Sequence, residues 1–136
     1  MRAGPKGAVD MTPLDLSKLP AAGPKRVQAF FKSFLLVPKG EGARKPFILR
    51  PWQLEIVRGL YPHPNTGKRP RQGLISLPRG NGKSALAAGL ALYALFADGE
   101  EGAQVLCVAS DLRQASIVFN AARRMVELNP ELEKRC

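Results

Sequence analysis

The sequence predicts an α/β fold in which a parallel sheet is flanked by helices. The apolar run LISL at residues 74–77 suits a strand, and the run QVLCVA at residues 104–109 suits a second, buried strand. Between them, residues 84–97 carry no charge and place Leu86, Leu90 and Tyr93 on one side of a helix. The order strand, helix, strand is that of a parallel unit with a right-handed crossover.

Length and composition indicate one folded unit. A chain of 136 residues is about one domain long, and a hydrophobic content of 45% is sufficient for a packed core. Prolines and glycines recur through residues 1–24, so we expect a disordered lead-in there and a folded part at residues 25–136. The longest uncharged run, residues 84–97, is too short to span a bilayer, so no membrane association is expected. Cys107 and Cys136 have neither metal-ligand nor disulfide-framework spacing, which favours a reducing cytoplasm.

Two helices are expected before residue 74. The first covers residues 25–37, and its apolar stripe is more typical of a core than of a surface that stacks on nucleic-acid bases. The stripe consists of Val27, Phe30, Phe31, Phe34 and Leu35. The second covers residues 52–60 and begins behind Pro51, because proline suits the first helical position.

A further helix is expected after the second strand. Ser110 or Asp111 caps its N-terminus, and it runs to about Leu128, before Pro130. Its expected apolar face consists of Ala115, Val118, Ala122, Met125 and Val126.

The charge of the chain predicts a polyanionic partner such as nucleic acid. There are 21 Lys and Arg residues against 11 Asp and Glu residues, a net charge of +10. Residues 1–50 carry ten basic and three acidic side chains, whereas residues 101–136 carry five of each, so the N-terminal end is the basic one. His63 lies in a predicted loop at residues 61–72, and it is interpreted as a solvated histidine because no second ligand or acid is near it in the sequence.

The segment between the first strand and its helix has the layout of a phosphate-binding loop. Gly80 and Gly82 lack a Cβ, so the backbone can curl until several N–H groups point at one anion. The following helix directs the positive end of its dipole to the same place. Lys83 supplies an ammonium group for the β- and γ-phosphates, and the hydroxyl of Ser84 suits a bridging Mg²⁺ ion.

The loop departs from the usual pattern at two positions. Leu77 stands where G-x-x-x-x-G-K-[ST] has its first glycine, so an ordinary glycine turn before a surface lysine is the alternative. A strand signal before the loop and a helix signal after it favour nucleotide binding. Arg79 adds a second cation beside the phosphates, where negative charge grows during phosphoryl transfer.

Three segments together resemble the N-terminal ATPase part of the large terminase subunit of tailed double-stranded-DNA bacteriophages. The segments are FILRPWQ, LPRGNGKSALAAGLALYAL and QVLCVASDLRQASIVFNAARRMV, which agree with the family in kind, order and spacing over residues 25–130. The family has a deviant Walker A motif with an arginine before the glycines, as in PRGNGKS at residues 78–84. The resemblance implies a P-loop NTPase fold of the helicase and RecA-like additional-strand type, of which residues 25–136 are an incomplete, N-terminal portion.

The resemblance also implies ATP and Mg²⁺ as cofactors and assigns roles to residues. Arg79 and Lys83 are the expected catalytic cations, and Ser84 is the expected metal ligand. The expected phosphate-binding residues are Pro78, Arg79, Gly80, Asn81, Gly82, Lys83 and Ser84. Trp52 and Gln53 resemble the segment that contacts adenine, since an amide can both donate and accept hydrogen bonds. The alternative is a core Trp52 with an exposed Gln53.

The segment SDLRQ, residues 110–114, resembles a motif that couples the nucleotide site to DNA in related motors. For Arg113 and Gln114, a solvated helix start is the alternative. The family further implies ATP hydrolysis that drives double-stranded DNA into a procapsid, in the host cell cytoplasm. Its implied partners are the portal protein, a small terminase subunit and identical subunits in a ring.

Several family elements have no counterpart in the sequence. No apolar run is followed by the Asp-Glu or Asp-Asp pair of a Walker B element, and the coupling motif and C-terminal nuclease are missing. We therefore expect the front part of a longer protein, without turnover alone, and exposed apolar faces at residues 86–96 and 105–108. The alternatives are a helicase-like DNA-dependent ATPase of repair or restriction, and a nucleotide- or DNA-binding remnant without turnover.

Overall fold

The computed structural model describes residues 12–39, 42–77, 83–99 and 103–136, and helices account for most of their regular structure. The helices are α1 (Gly23–Phe34), α2 (Pro51–Leu60), α3 (Lys83–Phe96), α4 (Leu112–Leu128) and α5 (Pro130–Glu133). Helix α3 packs against both α1 and α4, while α2 packs against α1 and α5 against α4. The predicted helices are thus confirmed, with α3 at the centre of the packing.

Helix α1 ends at Phe34, three residues before the predicted end at Val37. Leu35 has extended backbone, and its carbonyl accepts a hydrogen bond from the backbone N–H of Phe47 at 2.9 Å. The backbone N–H of Val37 donates a second hydrogen bond, to the carbonyl of Lys45, at 2.9 Å. These bonds form a short antiparallel bridge, and backbone groups engaged there are not available for a further helical turn.

The core lies between α1 and α3. Val27, Phe30 and Phe31 are fully buried, which confirms that the aromatic stripe of α1 is a core surface. Phe30 meets Tyr93 of α3 edge to face, with ring centroids 5.5 Å apart. Complete burial of a side chain of this size contributes about 1.5–3 kcal/mol, so this contact is a major source of stability.

The close approach of α1 to α3 depends on Gly89. A Cβ at this position would overlap the Cε2 and Cζ atoms of the buried Phe31 ring. It would also lie 3.2 Å from Cδ1 of Leu35. The absence of a side chain at Gly89 therefore sets how deeply the Phe31 ring can enter the surface of α3.

Helix α4 begins as predicted. The side chain of Asp111 accepts a hydrogen bond from the backbone N–H of Gln114 at 2.8 Å, which is the bond of an N-cap. On the predicted apolar face, Met125 is fully buried and Val118, Ala122 and Val126 pack against the core.

Residues 12–22, which belong to the predicted disordered lead-in, contact the core in this structure. Leu14 is 8% exposed and belongs to the core, and Leu16 and Leu19 pack against it. The guanidinium of Arg135 donates to the carbonyl of Thr12 at 2.7 Å, which joins this segment to the last residues of the chain. The remainder of the predicted lead-in, residues 1–11, lies outside the described residues.

The parallel sheet is not confirmed, because no strand occurs within the described parts of the chain. Leu74, Leu106 and Val108 are 98%, 81% and 88% exposed, so the run at residues 104–109, which was predicted as a buried strand, lies at the surface, as does Leu74 of the other predicted strand. A strand requires a neighbour that pairs with its backbone N–H and C=O groups, and within the described residues neither run has one. The expected exposure of residues 105–108 is confirmed, whereas that of residues 86–96 is wrong for Leu86 and Leu92, which are buried in the core.

Candidate functional site

The predicted phosphate loop is described at its two ends. Pro78, Arg79, Gly80, Asn81 and Gly82 lie outside the described residues, so their roles remain predictions. Leu77 precedes them and Lys83 follows them as the first residue of α3. The ammonium group of Lys83 donates a hydrogen bond to the carbonyl of Leu77 at 3.1 Å.

This hydrogen bond places the charge of Lys83 between the two ends of the loop. The side chain is exposed and turns back from the first turn of α3 to the residue on the other side of the loop. The ammonium group is therefore near the N-terminus of α3, where free backbone N–H groups and the helix dipole also attract anions. Ser84, the predicted metal ligand, is half-buried in the same helical turn.

Gln53 lies at the start of α2 and is only 5% exposed. Its Oε1 atom accepts a hydrogen bond from the backbone N–H of Arg50 at 2.8 Å, so the acceptor half of the amide stabilises the helix N-terminus. The NH₂ half has no hydrogen-bond partner among the described residues. Trp52 is half-buried against the core, as the alternative interpretation holds, but Gln53 is not exposed.

The predicted site residues are only partly brought together. Lys83 and Ser84 are adjacent in α3, while no hydrogen bond within the described residues joins Gln53 to either of them.

Residues 110–116, which include the predicted coupling segment, make local hydrogen bonds. The hydroxyl of Ser110 donates to Gln114 Oε1 at 3.0 Å, and the hydroxyl of Ser116 donates to the carbonyl of Arg113 at 2.7 Å. These contacts are those of a solvated helix start.

A second charged region lies at the opposite end of α3. The guanidinium of Arg69 donates two hydrogen bonds to the carboxylate of Asp98, one of them at 3.0 Å, and lies 4.3 Å from the centroid of the Tyr61 ring. The rings of Tyr61 and Tyr93 meet edge to face at 5.2 Å. Arg26 donates to the carbonyl of Ala97 at 2.9 Å and so satisfies a backbone group at the end of the helix.

Hydrogen bonding and burial set the ionisation of this cluster. The hydrogen bond to Asp98 raises the pKa of Arg69, and burial raises the pKa of both Tyr61 and Tyr93. At neutral pH the guanidinium is therefore charged and both phenols are neutral. The sequence signal for this region was the run of basic residues in the loop 61–72, but the pairing of Arg69 with Asp98 across 29 positions has no local signature.

The described residues lack two kinds of feature. They contain no group of three or more His, Cys, Asp or Glu side chains arranged to hold a metal ion. They also contain no helix with the length and hydropathy needed to cross a membrane.

Comparison with known proteins gives a consistent set of similarities. A family model described as the ATPase domain of the terminase large subunit matches residues 51–135. The large terminase subunit of Enterobacteria phage HK97 is 35% identical over 111 residues, which are 81% of this chain and 21% of that protein. The crystal structure of the HK97 bacteriophage large terminase matches with a TM-score of 0.71 and 34% identity, covering 82% of this chain and 22% of that one. This chain thus spans about a fifth of the length of the curated relative that it matches.

Proposed function

The chain belongs to the terminase large-subunit ATPase family, and on that premise we propose that it is the ATP-binding, N-terminal part of a motor that packages double-stranded DNA into a procapsid. The match to a solved terminase supports a fold of the P-loop NTPase type for this part. We propose that the parallel sheet of that fold forms when the two exposed apolar runs, residues 74–77 and 104–109, pair with strands from further sequence.

The observation that carries this proposal is the position of Lys83. Its ammonium group lies at the N-terminus of α3 and reaches the carbonyl at the other end of the loop, 3.1 Å away. A fixed cation beside a helix N-terminus is the arrangement that binds the phosphates of a nucleotide. The exposed side chain leaves the ammonium group accessible to a ligand.

The residues at this end of α3 suit ATP with Mg²⁺. Lys83 would bind the β- and γ-phosphates, the hydroxyl of Ser84 would hold the metal ion, and the backbone of Gly80 and Gly82 would complete the cradle. Arg79 would face the charge that develops during transfer. When bound, the ion neutralises phosphate charge and orients the terminal phosphate. Gln53 would contact adenine through its free NH₂ group.

The partners follow from the proposed motor. We propose double-stranded DNA as the substrate that is moved, and the portal protein and a small terminase subunit as further partners. The working form would be a ring of identical subunits in the host cell cytoplasm. The net charge of +10 supports the DNA partner, because a basic protein attracts a polyanion.

The substitution Lys83→Ala tests the nucleotide site. We expect it to lower ATP and ADP affinity by at least a factor of ten, since it removes the cation opposite the phosphates. The fold should be retained, because the side chain is exposed and its hydrogen bond is to Leu77, also outside the core. Isothermal titration with ATP and with ADP measures the change.

The matched control is Lys32→Ala, which removes an exposed lysine from α1 and leaves the loop intact. We expect its nucleotide affinity to equal that of the parent. Equal affinities for the Lys83 variant and the parent, in proteins with the same unfolding temperature, would remove the phosphate-loop assignment.

A further inference from the structure

Two open clefts adjoin each other beside the N-terminus of α1. The larger, about 620 Å³, lies at the C-terminal end of α3 and is lined by Arg26, Lys68, Arg69 and Asp98 among others. The smaller, about 450 Å³, is lined by Lys25 and Arg58. Both clefts include Ala21 and Ala22 in their walls, so they are neighbours, and the two together are here called the basic groove.

The charge of the basic groove is strongly one-sided. Its described lining residues include five Lys and Arg side chains but a single carboxylate, that of Asp98. Arg69 already neutralises this carboxylate through two hydrogen bonds. Glu55 lies just outside the lining and is paired with Arg58 at 2.8 Å. Even when Glu55 is counted, the excess of positive charge remains.

The negative end of the α3 dipole would oppose an anion in the groove, but Arg26 offsets it. Its guanidinium donates to the carbonyls of Ala97 at 2.9 Å and Pro20 at 3.1 Å, so one charged group satisfies the helix end and connects it to Pro20, which lines the smaller cleft. Arg69 is held in the same way by Asp98 and the Tyr61 ring. The two arginines are therefore fixed in place before any ligand arrives.

Lys25 and Lys68 are the two cations that remain available. Both side chains are exposed, and neither makes a hydrogen bond or an ion pair with the described part of the chain. One lies in each cleft. The groove therefore offers two separate, solvated ammonium groups on a preformed surface.

The chemistry of the lining favours a nucleic-acid backbone over an acidic protein. Protein interfaces have an apolar centre with aromatic anchors that contact the partner. In the basic groove the Tyr61 ring is covered by the Arg69 guanidinium, and Tyr93 is 3% exposed, so neither ring is free to serve as an anchor. Cations distributed over two adjoining clefts match a ligand with a repeated negative charge.

From these observations we propose that the basic groove holds the phosphate backbone of duplex DNA, with Lys25 and Lys68 each contacting a phosphate. The inference rests on the proposed DNA partner, but it does not depend on the nucleotide site. The length of α3, 14 residues, places the groove on the order of 20 Å from Lys83, so DNA and nucleotide would bind without competing.

The test measures the affinity of the 136-residue chain and of its Lys25→Ala/Lys68→Ala variant for duplex DNA. Fluorescence anisotropy gives this affinity at a series of salt concentrations. Each lost phosphate contact lowers the slope of log K against log salt by about 0.9, so we expect a slope shallower by about 1.8. The matched control, Lys32→Ala/Lys39→Ala, removes the same charge from exposed lysines outside the groove. We expect its slope to equal that of the parent.

Two results would overturn the assignment of the groove. One is a slope of the groove variant equal to that of the parent, which would leave an acidic protein as the partner. The other is an equal decrease in both double variants, which would show attraction to net charge alone. Because both lysines are exposed, the groove variant should have the circular dichroism spectrum and the unfolding temperature of the parent. Lys68→Glu should lower the affinity for DNA more than Lys68→Ala does.

A parallel ATP titration separates this inference from the proposed function. The groove variant should bind ATP with the affinity of the parent. A parent protein that binds DNA through the groove but does not bind ATP would contradict the proposed nucleotide site and leave the groove assignment standing.

Discussion

The hydrogen bond from Arg50 to Gln53 determines what this glutamine can offer to a nucleotide. Its Oε1 atom is committed to the N-terminus of α2, so a contact with adenine would have to use the NH₂ group. The sequence alone suggested an amide that both donates and accepts. The capping interaction of residues 50–53 removes one half of that capacity, because a buried acceptor with a good partner is costly to release.

The substitution Gln53→Glu tests whether the NH₂ group of Gln53 contacts adenine. A carboxylate can still accept from the Arg50 N–H, but the position is only 5% exposed, so the unfolding temperatures of the variant and the parent are compared to verify that α2 is preserved. The donor to adenine is lost, and a net hydrogen bond of about 0.5–1.5 kcal/mol corresponds to a roughly three- to tenfold weaker binding of ATP. Affinities for ATP and GTP are measured in both proteins, and an unchanged ratio between them would rule out an adenine contact.

For Arg79, the prediction rests on the sequence. If its charge stabilises the transferring phosphate, Arg79→Ala in a form of the protein that hydrolyses ATP should lower kcat by a factor on the order of 10² and change KM less. Steady-state kinetics distinguish the possibilities, with Arg71→Ala as a control that removes an exposed arginine preceding the loop. A change confined to KM would assign Arg79 to ground-state binding.

Among the helices, the crossing of α1 and α3 gives the sharpest expectation. Alanine is favoured over glycine by about 1 kcal/mol within a helix, but a Cβ at Gly89 would overlap the fully buried Phe31 ring. Overpacking in a core costs typically about 1–3 kcal/mol, so Gly89→Ala should lower the free energy of unfolding. Denaturant unfolding measures this difference.

The control for this prediction is Gly59→Ala in α2, where a Cβ would have no atom within 4 Å. This substitution should raise the free energy of unfolding by about 0.5–1 kcal/mol, because only the helix preference remains. Destabilisation by both substitutions, or by neither, would contradict the role assigned to the contact of Gly89 with Phe31.

The helices were predictable because their signals are local. Periodic apolar positions, Pro51 and the Asp111 cap identify α2 and α4 without knowledge of distant residues. The early end of α1 was not predictable, since it depends on backbone bonds between Leu35 and Phe47. The strands are not confirmed for the same reason: an apolar run becomes a strand only beside a partner, and residues 104–109 have none within the described chain.

For the candidate site, local signals were again the informative ones. Lys83 and Ser84 lie at the helix start where the motif predicted them. The pairing of Arg69 with Asp98 joins a loop to the end of α3 and follows from tertiary packing alone. No single-sequence pattern specifies which of several basic loop residues meets a particular carboxylate.

At the scale of the whole molecule, the apolar runs predicted as strands are exposed to solvent. Leu74, Leu106 and Val108 are almost fully solvated, although apolar residues of this kind are normally covered. The sequence also contains no apolar run followed by the acidic pair that would complete the metal shell and orient the attacking water. If Lys83 and Ser84 hold phosphate and metal as predicted, the sequence shows no acidic pair of this kind to activate water.

We therefore expect the 136-residue chain to bind ATP weakly and not to turn it over. Phosphate release by the purified chain is the measurement, and Lys83→Ala is the control for contaminating ATPases, because it removes the phosphate-binding cation and leaves other surfaces unchanged. The rate should be the same in both proteins. Turnover at about 1 s⁻¹ or faster that disappears in the Lys83 variant would mean that this chain supplies its own catalytic carboxylate, since a rate of that order is typical of a complete enzyme.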